Sequence, residues 1–254
     1  MGVCFPRFPP PGMRELAGPG GAYETGRGNM DEVFAVRVAI DEGDMDKACG
    51  LVARLSSPNA QGDHGRSALH FAAWHRGAAS VVAKLIELGC DVNIRSEFDG
   101  TPLFGAARRN TPDVVRRLLD AGADVTIRDA EGCTALHCAD YRNVALLLEH
   151  GADVGATDVH GRTPLHTAAQ RDDPGACRLL ADAGCPLDAQ DSEGRTALRL
   201  AVEEDFADSC IELLSLGADP GVRASDGLTA EEWALAHPAQ CTLVLEEVFP
   251  PSRR

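Results

Sequence analysis

The residues of this sequence that could do chemistry are histidines, cysteines and clustered acids. Cys133, His137 and Cys138 lie close enough along the chain to be considered as metal ligands. No second Cys/His pair follows at the spacing of a zinc finger, so we predict no metal site. The acidic segment 41–44 lacks the ligand spacing and the closing glutamate of a calcium loop, which favours a solvated turn between helices.

Catalysis is the next class to consider, because His70, His137 and His166 could act as general bases. Each of them, however, occupies the same place in a recurring phrase, and regular recurrence indicates an architectural role. The sequence also contains no phosphate-cradling glycine loop, no nucleophile elbow and no His-Glu-x-x-His motif. We therefore predict no catalytic residues, no cofactor and no enzymatic activity.

The recurring phrase is clearest at 161–169, where it reads Gly-Arg-Thr-Pro-Leu-His-Thr-Ala-Ala. Related copies begin at Gly65, Gly100, Gly132, Gly194 and Gly227. Thr163 is suited to cap a helix N-terminus, and Pro164 is suited to the first helical position. Twelve residues before each hydroxyl residue, from the second copy on, stands a glycine that would end the preceding helix: Gly89, Gly122, Gly151, Gly184 and Gly217. Each unit is thus predicted to be helix, turn, helix, glycine stop and loop.

A period near 33 residues with a Thr-Pro-Leu-His phrase resembles the ankyrin repeat. The resemblance covers roughly residues 30 to 249 and implies an all-α, ankyrin-type repeat solenoid of helix-turn-helix units with short β-hairpin or loop fingers. The predicted organisation is a disordered Pro/Gly-rich tail at 1–29, a capping helix pair at 30–61, five repeats at 62–95, 96–128, 129–157, 158–190 and 191–223, a C-terminal capping repeat at 224–249, and a short tail at 250–254.

Two repeats depart from the pattern. In the second, glycine stands next to the threonine at 99–101 (Asp-Gly-Thr), so we expect that finger turn to differ. In the third, the step from Thr134 to Gly151 is 17 residues where the neighbouring repeats take 21, which removes about one helical turn. We expect the loss at the end of the first helix, near 140–143, and we expect this repeat to be the weakest of the stack.

Composition restricts the partners further. The formal net charge is −15 and the pI is about 4.9, so nucleic acid and anionic membranes should repel the chain. No apolar run is long enough to span a membrane, and no secretory signal is evident. Several of the nine cysteines occupy positions that other copies fill with small apolar residues, which favours buried thiols in a reducing compartment. We expect a cytoplasmic or nuclear monomer.

In the ankyrin family, partners usually bind to the finger tips and to the concave face of the first helices, so function must come from surface residues. Carried onto this sequence, the partner-binding positions are Arg66, Trp74, His75, Phe98, Arg108, Arg109, Tyr141, Arg142, His160, Arg162, Gln170, Arg171 and Arg195. Arg, Trp and Tyr are the types most enriched at binding hot spots. The prediction is a non-catalytic scaffold or adaptor for a protein partner with an acidic segment. Alternatively, the arginines lie on solvated helix faces and pair locally with acids.

Two further hypotheses concern covalent modification. An enzyme-associated or lipid-anchored regulatory subunit could use residues 1–29 as a tether, although Pro6 stands where a myristoylation motif needs Ser or Thr. The residues Leu85, Asp91, Val92 and Asn93 match a pattern that is hydroxylated in some ankyrin-like proteins. Asn93 is therefore a possible hydroxylation site, and asparagine at this position is also structurally favoured in the family.

Overall fold

A computed structural model describes residues 27–109 and 112–249, with side chains from Glu32 onward. These residues form two compact units, an N-terminal unit that ends at Ala130 and a C-terminal unit that begins at Glu131. Residues 1–26 and 250–254 lie outside the described residues, and with them the hypothesis of a lipid tether. The first helix already begins at Arg27, so residues 27–29 are helical and do not belong to the predicted tail.

The described residues are helical, as the sequence predicts. The helices of the N-terminal unit are α1 (Arg27–Asp41), α2 (Met45–Val52), α3 (Ala68–Trp74), α4 (Ala79–Glu87), α5 (Pro102–Arg109) and α6 (Pro112–Asp120). Those of the C-terminal unit are α7 (Ala135–Cys138), α8 (Tyr141–Glu149), α9 (Pro164–Ala169), α10 (Pro174–Asp182), α11 (Ala197–Glu203), α12 (Ala207–Ser215) and α13 (Ala230–Ala236), followed by a π-helical segment at Val244–Val248. Within the described residues no strand forms, and an isolated bridge joins Gln61 to Ser67.

The helix boundaries follow the predicted start and stop signals. Thr163 adopts the extended conformation of an N-cap, and Pro164 opens helix α9. The glycine that ends the second helix of each pair has a positive φ, for example +91° at Gly122 and +97° at Gly217. Because glycine has no Cβ, it adopts this left-handed conformation at little cost and lets the chain leave the helix.

The finger turn of the second repeat does not differ as expected. Ser96 N donates to Gly100 O at 3.0 Å, just as Asp158 N donates to Arg162 O at 3.0 Å in the fourth repeat. Asp99 takes the left-handed role that Gly161 has there, with φ of +58° against +75°. Aspartate tolerates this conformation better than most residues, so the turn keeps its hydrogen bonds although its glycine has moved by one position.

The shortened third repeat has lost its turn where the sequence predicts. Helix α7 has 4 residues, whereas the equivalent helices α9 and α11 have 6 and 7. The chain turns at Ala139, and Asp140 then caps helix α8 by accepting from Arg142 N. Tyr141 and Arg142 consequently open the second helix of this repeat, which corrects their predicted place on the first helix.

Small side chains fill the space between the helices. Ala72, Ala73, Ala106, Ala168 and Ala201 are fully buried beside the larger leucines of the same helices, which allows close helix packing. The free thiols are Cys49, Cys90, Cys138, Cys177, Cys185, Cys210 and Cys241, and the last five of these are buried. No helix among the described residues is long and apolar enough to span a membrane.

Candidate functional site

The histidines of the recurring phrase are structural. In the first repeat, Ser67 N donates to His70 Nδ1 at 3.1 Å, which fixes the neutral tautomer with its proton on Nε2. That Nε2 then donates to Gly100 O of the next repeat, also at 3.1 Å. The imidazole thus caps its own helix and holds the following finger, and burial lowers the pKa of His70 to about 4.

His137 and His166 make the same bridge in the C-terminal unit. Their Nε2 atoms lie 3.1 Å from the carbonyl oxygens of Arg162 and Arg195, respectively. In the fifth repeat Arg199 replaces the histidine, and its Nη1 donates to Leu228 O at 3.1 Å. Arg199 also pairs with Glu203 of its own helix and with Asp226 of the following finger, so it joins the two as the histidines do. Among the described residues, no group of three His, Cys, Asp or Glu side chains could hold a metal ion.

Three of the predicted partner-binding residues lie together in the N-terminal unit, where the first helices of two neighbouring repeats end side by side. Trp74 ends helix α3, and Arg108 and Arg109 end helix α5. The guanidinium carbon of Arg109 lies 4.7 Å from the centroid of the Trp74 ring, and that of Arg108 lies 5.9 Å from it. Both distances are in the range of cation–π attraction, so the indole orients the two cations.

These residues line an open cleft of about 570 Å³, here called the Trp74 cleft; it is lined by Asp41, Trp74, His75, Arg76, Arg108 and Arg109. Arg76 Nε donates to Arg109 O at 2.9 Å, which holds the Arg76 side chain across the cleft. Asp41 lies 3.5 Å from Arg37, one helical turn earlier in α1. Arg76 is not among the positions that the sequence predicts, because the family pattern covers only the two residues after the Ala-Ala pair.

Arg66 is buried close to this region and is not part of its surface. Burial lowers its pKa, and the neighbouring charge of Arg37 adds to this effect. In the fourth and fifth repeats an aspartate stands four residues before the equivalent arginine, but here that position is Gly62. A Cβ on Gly62 would lie 3.3 Å from Val33 of helix α1, so the capping helix occupies the space of an acidic side chain.

Arg162 and Arg195 were predicted to contact a partner, but they are engaged within their own fingers. Arg162 is 3% exposed, its guanidinium lies 2.8 Å from Asp158, and Gln170 accepts from it at 3.3 Å. Arg195 pairs in the same way with Asp191 at 2.9 Å and also reaches Glu193. The Asp-x-x-Gly-Arg spacing, visible in both repeats, was the signal for this inward pairing.

Arg171 is also structural, because it compensates for the turn that helix α7 lacks. Its Nη1 donates to His137 O and its Nη2 donates to Ala139 O, both at 2.6 Å. Without Arg171, the carbonyl of Ala139 would end the short helix without a partner. Thr167 Oγ1 donates to His137 O as well, at 2.8 Å. Arg171 is therefore removed from the candidate partner surface.

The other predicted contact residues of the C-terminal unit are exposed. Tyr141 is 53% exposed and packs over Gly175, whose added Cβ would lie 3.1 Å from Tyr141 Cβ. Arg142 is exposed and forms an ion pair with Asp140 two residues earlier. That local pairing is the alternative that the sequence left open for these arginines. Tyr141 and Arg142 remain candidates for partner contact.

Two predicted finger-tip residues are exposed at the loops. Phe98 is 36% exposed, and its ring centroid lies 6.1 Å from that of His64 on the preceding finger. His160 is exposed, and its Nε2 lies 3.9 Å from a carboxylate oxygen of Glu131. Their exposure leaves both side chains available to a partner.

Asn93 has a structural role in the loop that follows helix α4. Its Nδ2 donates to Gly122 O at 3.0 Å, and its Oδ1 accepts from Asp124 N at 2.8 Å. The side chain therefore ties the loops of two successive repeats together. Hydroxylation of Asn93 stays a prediction, and these two hydrogen bonds explain independently why asparagine stands there.

The excess of acidic residues lies mainly in the second half of the sequence. Residues 1–130 contain 15 Lys and Arg against 17 Asp and Glu, whereas residues 131–254 contain 9 against 22. The part of the chain that carries the cleft is thus nearly neutral. An arginine cluster is better able to attract an anion in such surroundings than a net charge of −15 for the whole chain suggests.

Comparison with known proteins agrees with this architecture. A family model described as "Ankyrin repeats (3 copies)" matches residues 69–158 and 140–224. The crystal structure of the ankyrin repeat domain of Bcl-3, "a unique member of the IkappaB protein family", is similar, with a TM-score of 0.60 and 27% sequence identity. The similarity covers 78% of this chain and 92% of that one. No curated protein matches the sequence.

Proposed function

Because the chain belongs to the ankyrin-repeat family, whose repeats generally mediate protein–protein interaction, we propose that it is a non-catalytic scaffold or adaptor that binds its partner at the Trp74 cleft. The observation that carries this proposal is the pair of guanidinium groups, Arg108 and Arg109, placed over the ring of Trp74. Arginine and tryptophan together are typical of the residues that dominate binding energy.

The partner that fits this surface carries an acidic segment. Three arginines and one aspartate line the cleft, so its charge favours an anion. Within the described residues, no carboxylate lies within ion-pair distance of Arg76 or Arg109, so a docking segment would not have to displace an existing pair. The exposed finger tips at Phe98 and His160, with Tyr141 and Arg142, are proposed as secondary contacts. A cytoplasmic or nuclear location is part of the same proposal, supported by the seven free thiols.

Charge reversal with a matched control tests this function. The double variant R108E/R109E changes two adjacent arginines at the end of α5, and R116E/R117E makes the same change of charge on the exposed face of α6. A protein captured from the native source by the parent chain should be lost with R108E/R109E and retained with R116E/R117E. Thermal unfolding should show that both variants are folded.

Salt provides a second measurement on the captured partner. Electrostatic attraction acts mainly on the association rate, so raising the salt concentration should slow association with the parent chain. The slope of this dependence should become shallower in R108E/R109E. If the partner binds both double variants as tightly as the parent, the cleft is not the binding site and the proposed function fails at this surface.

A further inference from the structure

We propose that the Trp74 cleft recognises a phosphoryl group on the partner's docking segment, an inference that rests on the proposed function. The proposed function names only an acidic segment of the partner. This inference names the anionic group on that segment that the cleft binds. The charge of the cleft, the contacts that hold its arginines and the packing of the Trp74 ring against helix α5 each support it.

The charge of the cleft matches a dianion. Its lining carries three guanidinium groups, from Arg76, Arg108 and Arg109, against the single carboxylate of Asp41. A phosphoryl monoester carries about −1.5 to −2 charges at neutral pH, which balances this excess of two positive charges. One carboxylate side chain would neutralise only half of it.

Two of these arginines are held in place by contacts within the cleft. Arg76 uses Nε to donate to Arg109 O, so its two Nη groups are left for a ligand. Arg109 is held by its position over the Trp74 ring. Guanidinium forks that are fixed in advance lose little entropy when they donate two parallel hydrogen bonds to phosphate oxygens. Three phosphoryl oxygens offer enough acceptors for two such forks at once.

Gly105 of helix α5 makes room for the Trp74 ring at a cost in helix stability. It lies inside helix α5, where glycine is less favourable than alanine by about 1 kcal/mol. Other repeats place a side chain at this position: Phe71, Cys138, Thr167, Leu200 and Trp233. A Cβ on Gly105 would lie 3.4 Å from Trp74 Cε3 and 3.5 Å from its Cα. Because Gly105 has no side chain, Trp74 packs directly against helix α5, with the two guanidinium groups over its ring.

The two tryptophans of the chain make a direct test possible, since each gives one indole N–H signal in an NMR spectrum. Trp74 reports on the cleft, and Trp233, which packs near Arg199 in the C-terminal unit, serves as an internal control. Phenyl phosphate is the probe, and benzoate is its monoanionic counterpart. Phenyl phosphate should shift the Trp74 signal saturably, leave Trp233 unchanged, and bind at least about tenfold more tightly than benzoate.

Variants sharpen this measurement. The shift should disappear in R76Q/R109Q and persist in R116Q/R117Q, which removes two exposed arginines outside the cleft. Equal affinity for benzoate, an unmoved Trp74 signal, or equal shifts at Trp74 and Trp233 would each overturn the inference.

The captured partner separates this inference from the proposed function. Treatment of the partner with a phosphatase should abolish the binding that depends on Arg108 and Arg109. If that binding survives phosphatase, the phosphoryl inference is wrong while the proposed function stands. If binding never depended on Arg108 and Arg109, the proposed function itself has failed.

Discussion

Replacement of Arg171 by methionine is expected to weaken the third repeat selectively. Methionine keeps an unbranched apolar chain but removes the guanidinium group that donates to His137 O and Ala139 O at 2.6 Å. The change therefore tests whether a side chain of the fourth repeat completes the shortened helix α7 of the third.

The magnitude follows from the hydrogen bonds that remain. His137 O keeps the hydroxyl of Thr167 at 2.8 Å, so it stays satisfied in the variant. Ala139, which is 1% exposed, is left with a carbonyl that loses its charged donor. An orphaned buried acceptor costs about 1–3 kcal/mol. We expect a loss within that range, because methionine cannot donate to Ala139 O.

Native-state hydrogen exchange is the appropriate assay, because repeat proteins open locally. In the parent protein, amides at 134–150 should already exchange faster than those at 163–183, as the shorter helix predicts. R171M should increase this difference. The control is R116M, which makes the same change at an exposed position of helix α6. Surface substitutions of this kind usually change stability by less than about 0.5 kcal/mol, so R116M should change little.

Two results would refute this reasoning. If R171M and R116M lose the same stability, the carbonyl bonds of Arg171 do not support the helix end. If the parent protects 134–150 as well as 163–183, the lost turn has no energetic consequence and the third repeat is not the weakest.

Three further predictions concern single groups. Burial lowers the pKa of His70 from 6.5 to about 4, so its neutral ring stabilises the fold fully above pH 6.5. This contribution to the free energy of unfolding should fall by about 3 kcal/mol as the pH is lowered to about 4. Urea unfolding should show this pH dependence in the parent and a weaker one in H70Q. Asp99→Gly should raise the free energy of unfolding by about 0.5–1 kcal/mol by relieving a positive φ. Asp172→Gly, also at positive φ, should lower it because Asp172 accepts from Ser209 N and Oγ, and equal signs in thermal unfolding would contradict both explanations. Burial raises the pKa of the Cys177 thiol to about 12, so iodoacetamide at pH 8 should leave Cys177 unmodified in the folded chain but not in urea, as peptide mass spectrometry can show.

Local signals in the sequence predicted the helices well. The Thr163-Pro164 start and the glycine stops depend on the conformation of one or two residues, and the structure places helix ends at those positions. The same reasoning failed at Asp99, because aspartate there adopts the left-handed conformation in place of glycine. A local pattern shows where a turn is needed, but not which of two adjacent residues takes the positive φ.

The side-chain directions of the arginines were less predictable. Position along the repeat suggested a surface role for Arg162 and Arg171, but each finds partners inside the fold, in Asp158 and in the carbonyls of the short helix. Arg171 completes a helix end in the preceding repeat, and its acceptor His137 O lies 34 residues earlier in the chain. Only the three-dimensional structure brings the two together. Arg108 and Arg109 could be placed from the sequence because they extend a regular helix beyond its buried face.

The histidine bridges give the chain a direction that also matters during synthesis. Each bridging ring donates toward the C-terminus, so His70, His137 and His166 cannot satisfy Nε2 until the following finger has been made. A repeat that emerges from the ribosome therefore lacks this hydrogen bond until the following repeat has been synthesised. The series ends at Glu232, whose carboxylate accepts from Thr229 N and pairs with Arg223, both of which precede it in the chain.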